Sequence, residues 1–157
     1  METDIKSELD QELNNAIDRW LVERQQLLSQ YMDLPQMSIG GDVLAAVHRL
    51  CEVLVDYTSH GHFQVYEQLL LVITKRDEAK EVSLRQLLAK INATTDRILV
   101  FDEEYGDVEK LSIQDVGHFT KRLSKLGEDL TERFNFEDDF MALFDGVSIS
   151  QNSHIKP

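Results

Sequence analysis

Histidine, cysteine and carboxylate side chains are the groups in this chain that could hold a metal, carry a phosphoryl group or attack a carbonyl carbon. A helical di-metal centre needs two Glu-x-x-His pairs on facing helices. The nearest approach is Asp115-x-x-His118, which occurs once, has Asp in place of Glu, and supplies too few ligands. His60 and His62 would point about 160° apart on a helix turning roughly 100° per residue, so they share a metal only if the chain breaks at Gly61. A metal-dependent oxidase or store is therefore a weak reading, and no metal or cofactor is expected. His118-x-x-Lys121 has the histidine-then-lysine spacing of a histidine phosphotransfer bundle. Arg122 stands where a glycine would follow that lysine, and Gly117 weakens the helix that would hold the histidine. Phosphotransfer is kept as the alternative reading. Hydrolysis has no support: there is no Gly-x-Ser-x-Gly elbow, and Cys51 lies in an apolar helical run where cysteine acts as a small hydrophobe. The chain reads as a non-enzyme.

Binding chemistry has a better candidate. With residues 54–72 laid on a helix, Leu54, Tyr57, Gly61, Val65, Leu69 and Val72 fall within about 60° of one direction, a normal core stripe. Asp56, Ser59 and Phe63 fall roughly 140–200° away, so an acid, a hydroxyl and an aromatic ring share the outward side. Together they suit docking on a protein partner. A glycine at 61 costs about 1 kcal/mol inside a helix, so this block is either continuous or broken there. Both geometries keep Asp56, Ser59 and Phe63 near one another.

Four helical blocks must position these residues. The first, 7–33, carries Leu9, Leu13, Ile17, Trp20, Leu21, Leu27 and Tyr31 at spacings of three and four, and ends at Leu34-Pro35. Gly40-Gly41-Asp42 makes a turn with Asp42 as the expected N-cap. The second block runs over 42–75 and the third over 81–101. The acidic run Asp102-Glu103-Glu104-Tyr105-Gly106-Asp107 separates the third from the last. That block carries Val116, Phe119, Leu123, Leu126, Leu130 and Phe134. Trp20 and Tyr57 are assigned to the core, Tyr66 to the edge between core and surface, and Glu137-Asp138-Asp139 to a solvated face. The expected fold is all-α, a single-domain antiparallel four-helix bundle over residues 1–145 with a small, polar, disordered tail over 146–157.

Composition narrows the partner. Twenty-nine acidic residues against sixteen basic ones leave a net charge of −13. Nucleic acid and anionic membrane would be repelled, because phosphate binding needs basic side chains that release counterions. A basic protein surface is favoured instead. No apolar run approaches the roughly 20 residues that span a bilayer. The acidic start Met1-Glu2-Thr3-Asp4 is unlike a secretory signal, and a single cysteine suits a reducing cytoplasm.

Three segments carry a resemblance. Asp56-Tyr57-x-x-x-Gly61-His62-Phe63-x-x-Tyr66-Glu67 resembles the signature of the Rsd/AlgQ family of bacterial anti-sigma factors. Ile17-Asp18-Arg19-Trp20-Leu21-x-x-Arg24-x-x-Leu27-Leu28 and Leu130-x-x-Arg133-Phe134-x-x-Glu137-Asp138 agree with it in type and spacing. The match covers roughly residues 13–145, and His60 is bulkier than the small residue expected at its place. The resemblance implies a four-helix bundle that binds the C-terminal, −35-element-reading domain of the primary RNA polymerase sigma factor. Such binding keeps sigma from core polymerase and promoter DNA, and favours alternative sigma factors as growth slows. Asp56 would then pair with a basic sigma residue, Ser59 would hydrogen-bond beside it, and Phe63 would enter an apolar pocket.

Overall fold

The computed structural model describes residues 2–34, 41–60, 65–107 and 116–152, with side chains over 11–34, 42–59, 65–107 and 116–145. Those residues form α1 (Glu2–Asp33), α2 (Gly41–His60), α3 (Glu67–Arg76), a short 3-10 helix (Glu78–Lys80), α4 (Glu81–Tyr105) and α5 (Val116–Asn152), with no strand among them. The fold is all-α.

The boundaries differ from the periodicity in instructive ways. Over the block expected at 42–75 the described residues form α2 up to His60 and α3 from Glu67, and Gly61, where a break is one alternative, lies outside the described residues. Asp42 lies inside the first turn of α2 rather than at its cap, where its carboxylate still opposes the positive end of the helix dipole. α4 runs on through the acidic stretch to Tyr105 because the buried stripe continues. Phe101 and Tyr105 pack with Phe119 of α5, with centroids 5.0, 5.2 and 6.3 Å apart. Glu104, within the acid run, is met by Arg122 at 3.0 Å. Asp77 breaks α3 with an extended backbone, and its side chain accepts from the Ala79 amide at 3.2 Å to start the next turn. α5 reaches Asn152, past the expected start of a tail at 146, and residues 153–157 lie outside the described residues.

Burial follows near-heptad spacing on two long helices. α1 buries Leu13, Ile17, Trp20 and Leu27, and Leu34 just past its end continues the row, with Arg24 and Tyr31 half-buried in it. α5 buries Phe119, Leu123, Leu126, Leu130, Arg133, Glu137, Phe140 and Phe144, steps of four and three throughout. Such a row keeps one seam facing its neighbours. The main helix contacts join α4 to α5, α1 to α2, α2 to α4, and α3 to both α4 and α5. Contacts step down α5 as they step up its partners. Arg133 reaches the Ile91 carbonyl of α4, Arg97 reaches Asp129 and Glu132, and Glu104 reaches His118. From α1, Arg24 meets Asp138 at 2.8 Å, and the Tyr31 hydroxyl donates to the Leu123 carbonyl at 2.8 Å. Gly127 permits that second approach, since a Cβ there would collide with the Tyr31 ring and hydroxyl. Among the described residues, no helix is long and apolar enough to cross a membrane.

Candidate partner-binding face and the polar layer beneath it

α2 separates its two faces cleanly. Leu50, Leu54 and Tyr57 are buried, while Asp56 and Ser59 are exposed on the other side, as the periodicity predicts. Phe63, the third candidate, lies outside the described residues, as do His60 and His62. Thr58 is buried on the core side, and its hydroxyl donates to the Leu54 and Val55 carbonyls at 2.9 and 3.1 Å. A groove of about 390 Å³ runs beside Asp56 and is lined by Cys51, Glu52, Val55, Asp56, Asp102 and Gly106. Three carboxylates on that lining give it a negative field, which suits a basic side chain better than an anion. Burial, reinforced by Asp102, pushes the Cys51 thiol up to about 12. It is therefore inert as a nucleophile.

Beneath this face the helices meet in a polar layer. Glu137 and Arg133, one turn apart on α5, have no exposed surface. Their side chains approach at 3.4 Å, Nε to Oε2. The Tyr57 hydroxyl donates to Glu137 Oε1 at 2.6 Å, and the Tyr66 hydroxyl donates to Oε2. Arg133 in turn donates to Thr95 Oγ1 at 2.6 Å, Thr94 Oγ1 at 3.2 Å and the Tyr66 hydroxyl at 3.3 Å. Trp20 of α1 stacks on Tyr57 at 6.2 Å and takes Tyr66 edge-on at 5.4 Å. Arg24 covers the Phe134 ring at 4.8 Å and lies 3.8 Å from Glu137. Burial and the adjacent Glu137 carboxylate push both phenols well above their ordinary value, so both remain donors. The Glu137 carboxyl is itself raised by burial, against the opposing pull of Arg133, the two hydroxyls and Arg24.

Glu137 is therefore not part of a solvated acidic face, and Tyr66 belongs to the core rather than its edge. Asp138, beside Glu137, is exposed and paired with Arg24, as a surface acid would be. The signal for a buried Glu137 was its place in the α5 row of fours and threes, which a row ending at Phe134 passes by. Phe134 is only half-buried and Val116 is exposed. The three motif segments of the sequence converge here. One supplies Trp20 and Arg24, another Tyr57 and Tyr66, and the last Arg133, Phe134 and Glu137.

The other chemical candidates do not assemble. His118 Nε2 lies 3.3 Å from Glu104 Oε2 on the exposed flank of α5. Asp115 lies outside the described residues. Among the described residues, no group of three His, Cys, Asp or Glu side chains is placed to hold a metal ion.

The chain carries an outward acid-and-hydroxyl face over a buried polar layer, and comparison with known families gives its class. The chain belongs to the Rsd/AlgQ family, whose model, described as regulator of RNA polymerase sigma(70) subunit, matches residues 3–145. It is similar to the Regulator of sigma D of Pectobacterium carotovorum subsp. carotovorum (strain PC1), 33% identical over 136 residues that cover 83% of this chain and 88% of the relative. The Regulator of sigma D of Enterobacter sp. (strain 638) is 32% identical over 136 residues, covering 83% and 80%. No solved structure matches the chain significantly.

Proposed function

We propose that this chain is a cytoplasmic, non-enzymatic anti-sigma factor that binds the C-terminal domain of the primary RNA polymerase sigma factor. α1, α2, α4 and α5 form its antiparallel four-helix bundle, with α3 packed on α4 and α5. The opposed stepping of contacts between α5 and both α1 and α4 supports that arrangement. Asp56, Ser59 and Phe63 are the partner-binding residues. Asp56 pairs with an arginine or lysine of sigma, Ser59 hydrogen-bonds beside it, and the Phe63 ring enters an apolar pocket. The observation that carries the reading is the exposure of Asp56 and Ser59 on α2 in a chain of this family.

Electrostatics supports the choice of partner. A module built to accept DNA phosphates is basic, and a chain of net charge −13 attracts it. Masking that module keeps sigma from core polymerase and from promoter DNA, without any contact between this chain and nucleic acid or membrane. The outcome is less housekeeping transcription and more core enzyme for alternative sigma factors. Phosphotransfer through His118 gains nothing from the geometry, since a carboxylate already occupies the flank of its Nε2.

A pull-down from cell lysate, scored for polymerase subunits, tests the proposal. Recovery of the primary sigma factor without core enzyme is the expected result. Recovery of intact holoenzyme, or of no sigma, contradicts it.

A further inference from the structure

The polar layer does something for the α2 face that apolar packing would not. α2 and α3 make little direct contact with each other, and each is anchored elsewhere, α2 on α1 and α4, α3 on α4 and α5. Among the described residues, Glu137, Trp20 and Arg133 each touch both Tyr57 at the end of α2 and Tyr66 before α3. The Glu137 carboxylate accepts the Tyr57 hydroxyl of α2 on one oxygen and the Tyr66 hydroxyl, leading into α3, on the other. Trp20 touches both of those rings from the α1 side. Arg133 holds the carboxylate from below and is itself fixed to α4 through Thr94 and Thr95. A fully buried ion pair is seldom a net source of stability, since apolar residues of equal volume serve as well or better. Directional hydrogen bonds do fix orientation, and a binding face gains affinity from being held in its bound shape.

We infer that Glu137 is a positioning residue for partner binding: held by Arg133, its carboxylate ties the end of α2 to the start of α3 in the arrangement that presents the Asp56 and Ser59 face. The inference rests on the anti-sigma reading of that face. It assigns Tyr57, Tyr66 and Arg133 to the same device, and none of the four touches the partner.

The test replaces the cluster by apolar groups of similar size, Tyr57→Phe, Tyr66→Phe, Arg133→Met and Glu137→Leu together. Three quantities are read: the thermal midpoint, amide hydrogen exchange of the free protein, and affinity for the isolated C-terminal domain of the primary sigma factor. The midpoint is expected to stay level or rise. Exchange should quicken about tenfold in the last turns of α2 and the first of α3 while α4 is unchanged. Affinity should fall about tenfold through lost preorganisation. Should the fourfold variant not fold, Tyr66→Phe alone, which keeps the ring against Trp20 but lowers the midpoint by removing one donor from Glu137, is expected to give the same exchange and affinity changes at several-fold size. Ile98→Val, a buried change outside the cluster, is the control and should leave affinity unaltered. Unchanged exchange at the α2 and α3 ends, or unchanged affinity in a folded variant, overturns the inference. Exchange is read without sigma, so wild-type protein that fails to bind sigma defeats the anti-sigma reading while the exchange result still decides whether Glu137 orders the two helices.

Discussion

Arg133 and Glu137 face each other one helical turn apart on α5, both without exposed surface, in a row otherwise filled by Phe and Leu. Two charges occupy seam positions of a helix because partners reach them from α1, α2, α4 and the turn before α3, leaving Arg133 Nε with only the 3.4 Å approach to Glu137 and no hydrogen bond. The layer they organise lies directly under the outward face of α2.

Removing one member of this pair leaves a buried charge without its partner. Arg133→Met should cost about 3–5 kcal/mol of unfolding free energy, and Arg133→Met with Glu137→Leu should regain most of it. Urea unfolding of the two variants measures the difference. Equal losses in both would mean that the two charges are not coupled.

The pH dependence of stability carries a definite sign. Burial raises the Glu137 carboxyl above 4.5, its ordinary value, so the folded state holds this proton at pH values where the unfolded chain has released it. Stability from this group is fully present below the unfolded pKa and is lost as pH rises through the folded one. Wild type should therefore lose stability relative to Glu137→Gln as pH climbs from 4.5 upward. Paired denaturation curves across that range check it, and a gap that widens in favour of wild type contradicts it.

How much was legible depended on which side of the helix a residue lies. Exposure of Asp56 and Ser59 followed from the 3.6-residue period, because their neighbours Leu54 and Tyr57 are ordinary core residues. Trp20 and Tyr57 were legible as core for the same reason. Glu137 was not, since a carboxylate followed by two more acids reads as surface until its partners are known. Those partners, Tyr57, Tyr66, Arg133 and Arg24, come mostly from other helices, and periodicity along one helix carries no word of them. The run-on of α4 to Tyr105 was hidden likewise, because the aromatic contact that sustains it is with Phe119 of α5.

Gly127 offers a test of the α1–α5 approach. Alanine is the better helix former by about 1 kcal/mol, yet its Cβ would meet the Tyr31 ring and hydroxyl. Overpacking of this kind costs about 1–3 kcal/mol, so Gly127→Ala should lower the thermal midpoint. In a Tyr31→Ala background the same substitution should raise it. A midpoint raised by Gly127→Ala alone would contradict the close approach.

The Cys51 thiol, pushed up to about 12, should resist alkylation near neutral pH. Mass spectrometry after iodoacetamide treatment should find it unmodified in native protein and fully modified in urea. Rapid labelling of native protein would mean that the thiol is neither buried nor protonated as described.

Surface charge should act mainly on the encounter. Asp56→Asn, at an exposed position, is expected to slow association with the sigma domain and to flatten its salt dependence, with a smaller effect on dissociation. Stopped-flow measurements at two ionic strengths separate these rates.

The most direct measurement is calorimetric titration of the isolated C-terminal sigma domain into wild type and Phe63→Ala at low ionic strength. A saturable isotherm for wild type, weakened more than about tenfold by the substitution, is the predicted result for an aromatic anchor. Absence of heat with wild type, or equal affinity in both, would contradict the assignment of this face to sigma.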